Sequence, residues 1–366
     1  MAVRVAALPG DGIGPEVLAQ ALRVLHAVAA ITGHEIRVTE HPVGAAAIRA
    51  TGSPLPPATL AACLEADAVL LGAVGDPAFD TRPRGERPES GLLALRTALG
   101  GFANLRPATA FEALSGCSPL RPERVRGADV LIVRELLGGL YYGEPRGIEA
   151  DGTSAHNTLR YSRDEVVRVA RVAFDLARGR RRQLTSVDKA NVLETSQLWR
   201  ATVNDVAKDY PDVTVRHAYV DAFAMRLATA PTEFDVVLTD NLFGDILSDE
   251  AAIISGSLGL LPSATLGGKV AFYEPVHGSA PDIAGKDMAN PIGAIACVAM
   301  LFRYTAGLVT EAEAVDAAIR DVLAAGGRTA DIAQPGEAIM RTSEIGAAVE
   351  RAVVDALDRQ WSYHAV

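Results

Sequence analysis

Phe234-Asp235-Val236-Val237-Leu238-Thr239 runs directly into Asp240-Asn241-Leu242-Phe243-Gly244-Asp245-Ile246-Leu247-Ser248-Asp249. The first part is a short apolar run of strand length, and the second carries apolar residues at helical spacing as far as Ile254. The same alternation recurs outward from here: Val3 to Leu8 then Pro15 to Ile31, Ala68 to Val74 then Leu92 to Leu99, Val130 to Val133, and Leu184 to Val187 then Leu193 to Lys208. Strands alternating with helices predict an α/β protein with a largely parallel or mixed sheet. Proline and glycine mark loops or arms at Ser53 to Pro57, Gly75 to Pro88 and Gly138 to Gly152, and two amphipathic helical stretches follow Thr310. The chain shows no internal repeat, low-complexity segment or flexible linker.

The opening stretch also poses a chemical question. Asp245 and Asp249 stand four residues apart, so they share a helix face at a rise of roughly 6 Å. Two carboxylates so placed converge on a divalent cation, or they form a solvated acidic face. From the pair alone, both readings stand.

Composition narrows the classes. The 366 residues, 49% of them hydrophobic, suffice for one large or two ordinary α/β domains. A formal charge of −10 argues against a nucleic-acid or anionic-membrane partner. Arg178, Arg180, Arg181 and Arg182 form one basic patch, read as cations at the negative end of a helix, with no function assigned. Cys63, Cys117 and Cys297 lack zinc spacing and sit among apolar or small residues, as buried thiols in a reducing cytosol do. Arg4 interrupts the first apolar run, unlike a signal peptide, and no stretch reaches the roughly 18 residues of a membrane span. The expectation is a soluble, cytoplasmic protein.

Leu8-Pro9-Gly10-Asp11-Gly12-Ile13-Gly14-Pro15-Glu16 follows a strand and opens a helix, with Pro15 suited to a first helical position. Its glycines miss the dinucleotide-binding offsets, so a nucleotide loop and a tight turn near a site both remain open. Arg96, Arg106 and Arg134 fall at or near element edges, where α/β sites form, and three convergent guanidiniums suit a di- or tricarboxylic acid. Lys189, after Thr185 to Asp188 at another strand end, is a candidate general base. Tyr141, in the glycine-rich arm, is a candidate proton donor. Each of these residues alone also fits ordinary packing or a surface ion pair.

Together the pieces resemble the isocitrate/isopropylmalate dehydrogenase family of β-hydroxyacid oxidative decarboxylases over essentially the whole chain. The resemblance rests on Leu8 to Glu16, Glu89 to Arg96, Phe102 to Pro107, Gly138 to Gly147, Thr185 to Glu194, Asp240 to Glu250 and Glu274 to Lys286. It implies a two-domain fold with one long mixed sheet flanked by helices, not a Rossmann fold. The expected first domain is discontinuous, 1–103 with 259–366, and carries most of the cofactor site. The expected second domain, 104–258, carries the dimerisation arm and the metal-binding aspartates.

The implied activity is NAD-dependent oxidative decarboxylation of 3-isopropylmalate in leucine biosynthesis, in a homodimer with shared active sites. Arg96, Arg106 and Arg134 would bind the malate carboxylates, and Leu92 and Leu93 its alkyl group. Asp221, Asp245 and Asp249 would hold Mg²⁺ or Mn²⁺, with Asp221 also meeting the substrate. Lys189 would take the hydroxyl proton, and Tyr141 would protonate the carbon that loses carbon dioxide. The resemblance places NAD on Ile13, Glu89, Glu274, His277, Gly278, Ser279, Ala280, Pro281, Asp282, Ile283 and Asn290. Asp282 would accept ribose hydroxyls and repel a 2′-phosphate.

Two departures stand out: Gly75 to Phe79 replaces a Gly-Gly-Pro-Lys-Trp stretch, and Phe223 stands where a small residue is usual. They leave open another 3-alkylmalate, D-malate, tartrate or homoisocitrate as substrate, since a pocket discriminates by only about 1–3 kcal/mol per methylene. A non-catalytic regulatory subunit would tolerate loss of Tyr141, Lys189 or an aspartate, and all are present. A phosphotransferase would need a Walker-type Gly-Lys-Ser/Thr, which is absent.

Overall fold

In the computed structural model, which describes residues 2–364, the strands are β1 (Val3–Gly10), β2 (Ile36–Glu40), β3 (Ala68–Ala73), β4 (Ala103–Thr109), β5 (Asp129–Glu135), β6 (Gly147–Ile148), β7 (Ala155–His156), β8 (Gln183–Asp188), β9 (Thr214–Tyr219), β10 (Val236–Thr239), β11 (Pro262–Leu266) and β12 (Ala271–Pro275). Helices alternate with them, and parallel and antiparallel pairings both occur. This is the expected α/β class with mixed sheet flanked by helices. The chain forms two compact units, Met1–Gly101 with Phe111–Cys117 and Ser255–Val366, and Phe102–Ala110 with Ser118–Ile254. Phe111–Cys117 lies outside the continuous second domain expected from sequence. Arg328 Nη2 donates to Ala113 O (2.8 Å) and Cys117 Sγ donates to Ile332 O (3.0 Å), which ties the segment to the first unit.

In the first unit the strand order is β2-β1-β3-β12-β11, parallel except for the β11–β12 pair. All of β3 is buried, as a strand covered on both faces requires. On one face Ala6, Leu8, Val69, Leu71 and Phe272 pack with Leu95 and Leu99 of the helix Pro88–Leu99. The helix Gly14–Thr32 packs against Ile292–Leu301 and Thr342–His364. Ile292–Leu301 is apolar all round and buried on nearly every side, so no periodicity announces it in the sequence. Cys63 and Cys297 are buried as expected; Cys117 is only half-buried, on the irregular segment after the turn Glu112–Leu114, where its thiol donates to the Ile332 carbonyl. The altered stretch at Gly75 buries Phe79 against Ala45 and Ile48, with the Arg49 and Arg82 guanidiniums over its ring.

In the second unit the order is β4-β5-β10-β8-β9, with β4 antiparallel to β5 and the rest parallel. Thr239 lies beside both Arg134 and Val187, so β5, β8 and β10 end together at one edge. That edge is where ligands bind in open α/β sheets. The helix Arg163–Arg178 begins at Ser162 with a capping box closed by Glu165. Asn241–Glu250 begins at Asp240, whose carboxylate accepts the Phe243 N–H (2.8 Å). Phe223 is buried against Phe234, ring centroids 4.7 Å apart, and fills core. The basic patch is structural: Arg178 pairs with Asp212, and Arg180 and the Arg181 N–H hold buried Asp235 at the start of β10. Gly138 to Gly152 holds a tight turn, Gly139–Tyr141, and the first strand of the β6–β7 hairpin. Among the described residues no helix is long and apolar enough to cross a membrane.

Candidate active site

Five of the expected site residues meet in the second unit. Arg134 ends β5 and is buried. Its Nε and Nη2 donate to Asn241 Oδ1 (3.0 and 2.7 Å), its Nη1 pairs with Asp245, and its guanidinium lies 5.6 Å from the Tyr141 ring centre. Arg106, on β4, donates to Asn104 Oδ1 (2.8 Å), Ser248 Oγ (2.8 Å) and Asp249 Oδ1 (3.4 Å), with Asp245 Oδ1 at 3.6 Å. Tyr141 donates its hydroxyl to Asp245 Oδ2 (2.9 Å). Burial first, and then the Asp245 carboxylate, push the Tyr141 phenol above its ordinary pKa. The helix period therefore sets Asp245 and Asp249 on one face, and the two arginines meet them there.

Behind Arg134 stand residues that the sequence did not single out for the site. Glu135 is fully buried and accepts the N–H groups of Leu137 (3.0 Å) and Gly138 (2.8 Å), with Arg168 Nη2 at 3.2 Å. Burial pushes its carboxyl up, and those donors pull it back. Asp240, also buried, is pushed up to about 7 by desolvation, with Glu135 and Asp188 adding to the effect against Arg134. Asn241 is in plain view as the neighbour of Asp240, but its side-chain partners are over 100 residues away in the chain.

Lys189 and Asp221 form a separate pair, Nζ to Oδ1 at 2.8 Å. Lys189 follows buried Asp188, whose carboxylate takes the Ala190 N–H (2.9 Å) and two bonds from Arg200 (2.9 and 2.8 Å). The bond from Lys189 lowers the Asp221 pKa. Asp221 does not join Asp245 and Asp249: among the described residues no three His, Cys, Asp or Glu side chains are grouped as a metal ion needs. Their donor chemistry nonetheless fits a hard divalent cation, since all three offer carboxylate oxygens and Asp249 is two-thirds exposed.

In the first unit, Arg96 pairs with Glu274 at the end of β12, and its Nε is buried without a partner among the described residues. Leu92 is half-buried against the core and Leu93 is exposed on the same helix. The Gly10–Gly14 turn resolves the two readings of the glycine loop. Asp11 turns inward and accepts the N–H groups of Ala45 (2.9 Å), Ala46 (2.8 Å) and Gly75 (2.9 Å), while the Ile13 N–H donates to Ser279 O (2.8 Å). Gly12 has φ +57, and a Cβ there would sit 2.0 Å from Ser279 O. Glu16 accepts the N–H groups of Gly285 and Asp287. The loop is a tight turn that braces the segment 274–290.

Within that segment Gly278, Pro281 and Asp282 are exposed, Ala280 and Ile283 half-buried, and Ser279 buried. Glu89 is exposed, with its carboxylate beside Gly75. Asn290 is buried and committed to Asp331 (3.0 Å) and the Ile292 N–H (3.0 Å). His277 Nδ1 donates to Gly278 O (2.9 Å), and burial lowers its pKa. Its Nε2 is thereby an acceptor, buried without a partner among the described residues. An orphaned acceptor beside a backbone-rich loop fits a hydroxyl-bearing cofactor.

Known proteins similar to this chain identify its family. The isocitrate/isopropylmalate dehydrogenase family model matches residues 4–349. A 3-isopropylmalate dehydrogenase of Nitratidesulfovibrio vulgaris is 56% identical over 350 residues, covering 94% of this chain and 98% of that protein. Among solved structures, isocitrate dehydrogenase from Methylococcus capsulatus superposes with a TM-score of 0.84 at 34% identity, covering 96% of this chain and 99% of that one. A β-decarboxylating dehydrogenase from Thermococcus kodakarensis superposes at 0.80 with 38% identity, covering 97% of each chain.

Proposed function

The chain belongs to the isocitrate/isopropylmalate dehydrogenase family, as an NAD- and divalent-metal-dependent decarboxylating dehydrogenase, and from that premise we propose that its substrate is 3-isopropylmalate. The observation that carries the choice is the pair Leu92 and Leu93 on the helix that presents Arg96. An apolar pair one turn before a carboxylate-binding arginine favours an alkyl substituent over a further carboxylate, which would lose hydration there without gaining a partner.

Arg96, Arg106 and Arg134 bind and orient the malate carboxylates through charge-assisted bonds. Each of these arginines pairs with a carboxylate within the chain, which supports a role in accepting anions. The segment 274–290, with Ile13 and Glu89, would hold NAD⁺, which would supply the hydride acceptor. Asp221, Asp245 and Asp249 would hold Mg²⁺ or Mn²⁺, which would supply the Lewis acidity that decarboxylation needs. Lys189 takes the proton of the substrate hydroxyl. Tyr141 delivers a proton to the carbon left when carbon dioxide departs. In this reading the first unit is the main cofactor-binding domain and the second carries the metal ligands and the dimerisation arm.

The second unit supports a homodimer with shared sites. Lys189 and Asp221 stand apart from Asp245 and Asp249, and Ile148, Val192, Met225 and Ile246 expose large apolar side chains. Symmetric association buries such surface and brings one chain's Lys189 and Asp221 to its partner's arginines. The protein is then a cytoplasmic enzyme of leucine biosynthesis. The deciding experiment is NAD⁺ reduction with Mn²⁺ over a panel of 3-substituted malates. The reading requires the highest kcat/KM for 3-isopropylmalate; a higher value for D-malate, tartrate, isocitrate or homoisocitrate refutes it.

A further inference from the structure

We propose that Asn241 is the positioning residue for Arg134; the inference rests on the assignment of Arg134 to a substrate carboxylate. Asn241 is fully buried, and every hydrogen-bonding capacity of its amide is used. Nδ2 donates to Leu136 O (2.9 Å) and Gly138 O (3.0 Å), both acceptors only, which fixes the orientation of the amide. Oδ1 must then face Arg134, where it accepts from Nε (3.0 Å) and Nη2 (2.7 Å). The backbone N–H of Asn241 donates to Tyr161 Oη (3.0 Å), whose hydroxyl donates to buried Glu135 (3.3 Å).

The stem of Arg134 is fixed as well. A Cβ on Gly244, one turn along the helix, would lie 2.6 Å from Arg134 Cγ and 2.8 Å from its Cβ, so only glycine lets the arginine run past. With the Nε and Nη2 edge held by Asn241, the guanidinium turns its Nη1 corner toward Asp245 and the Tyr141 ring. A carboxylate therefore meets Arg134 from one direction. Loss of the amide lets the guanidinium rotate and removes that direction while leaving the arginine in place.

A double-mutant cycle on the dimeric enzyme separates the two claims. Arg134→Ala, Asn241→Ala and the double variant are compared for KM toward 3-isopropylmalate, KM toward NAD⁺ and kcat. Asn241→Ala is expected to raise KM for the malate at least tenfold and to change KM for NAD⁺ by less than twofold. In the Arg134→Ala background it should change the malate KM by less than twofold. Full multiplication of the two single effects overturns the positioning role. An unchanged malate KM in Arg134→Ala alone instead refutes the carboxylate assignment on which it rests.

Asn241→Asp supplies an independent test if the alanine variant does not fold. A carboxylate there accepts from Arg134 but faces the Leu136 and Gly138 carbonyls without a proton to donate. Its malate KM, taken as a ratio to that of the wild type at the same pH so that the shared titration of Asp240 and Glu135 cancels, should be raised at neutral pH and recover as the pH falls toward 5. A pH-independent ratio refutes the inference.

Discussion

The arginine nest of the second unit and the glycine turn with the segment 274–290 of the first unit build sites in opposite ways. Around Arg134, side chains hold side chains: Asn241 and Asp245 hold the guanidinium, and behind it Tyr161 donates to buried Glu135. Around Gly10–Gly14, carboxylates of Asp11 and Glu16 hold backbone N–H groups, so that the segment 274–290 presents backbone and a few exposed side chains. The first arrangement preorganises charge for chemistry, where misdirection is costly. The second fixes the shape of a loop and, in the proposed reading, leaves cofactor specificity to replaceable surface residues. Substitutions in the two regions should therefore fail differently.

The largest effects should come from the second unit. Lys189→Met and Tyr141→Phe each remove a proton-transfer group and should lower kcat by about 10²- to 10⁴-fold. Tm should move little, because Tyr141 is substantially exposed and the Lys189 side chain has one exposed partner, Asp221. Retained turnover in either variant, measured by NADH formation, would strip that residue of its assigned step.

Asp240 should show that the nest is held against an electrostatic cost. Its folded pKa, about 7, lies above the ordinary carboxylate value. Between about pH 4 and 7 the folded chain thus binds more protons than the unfolded one, and stability falls as pH rises through that window. An asparagine in its place cannot ionise, yet the amide oxygen can still accept the Phe243 N–H. Asp240→Asn should accordingly match the wild type near pH 4 and exceed it at pH 8 by on the order of 2–4 kcal/mol. Parallel pH dependence of denaturant midpoints for the two proteins would remove Asp240 as the source.

How much of this was legible in the sequence differs in the same way between the regions. The strand–helix alternation and the Asp245–Asp249 face follow from local periodicity, and the structure groups Arg106, Arg134, Tyr141, Asp245 and Asp249. Arg134 lies near the end of β5 as expected, whereas Arg106 lies inside β4 rather than at its boundary, because pairing with β5 carries the strand on past Pro107. Asn241, Glu135 and Tyr161 were not read as site residues, because their partners are set by tertiary contacts such as the Leu136 and Gly138 carbonyls. The glycine turn stayed ambiguous for a related reason: only the inward carboxylate of Asp11 distinguishes a brace from a phosphate cradle. The all-apolar helix Ile292–Leu301 and the half-exposed strands β2 and β9 carried no clean period to read.

In the first unit the expected loss is structural. Asp11→Ala leaves the N–H groups of Ala45, Ala46 and Gly75 without their acceptor, and Ala45 is buried. It should cost about 2–3 kcal/mol of stability. Because the turn donates through Ile13 to Ser279, KM for NAD⁺ should rise as well, with kcat at saturation little changed. A lowered kcat with normal NAD⁺ affinity would place Asp11 in the chemistry instead.

The smallest effect should be a change of preference at the surface of the segment 274–290. Asp282 is exposed there and Ile283 half-buried, and neither belongs to the brace formed by Glu16. A carboxylate at Asp282 suits a ribose 2′-hydroxyl and repels a 2′-phosphate, whereas lysine reverses the charge and tyrosine adds a donor. The double substitution Asp282→Lys with Ile283→Tyr should shift the ratio of kcat/KM for NAD⁺ over NADP⁺ toward NADP⁺ by about tenfold, or roughly 1.4 kcal/mol. Tm should stay close to that of the wild type, since no buried hydrogen bond is removed. If the ratio stays fixed while both cofactors bind, the 2′ position is read elsewhere on the loop. If Tm falls as far as in Asp11→Ala, the two residues belong to the brace, and the division between a locked frame and replaceable surface residues fails in this unit.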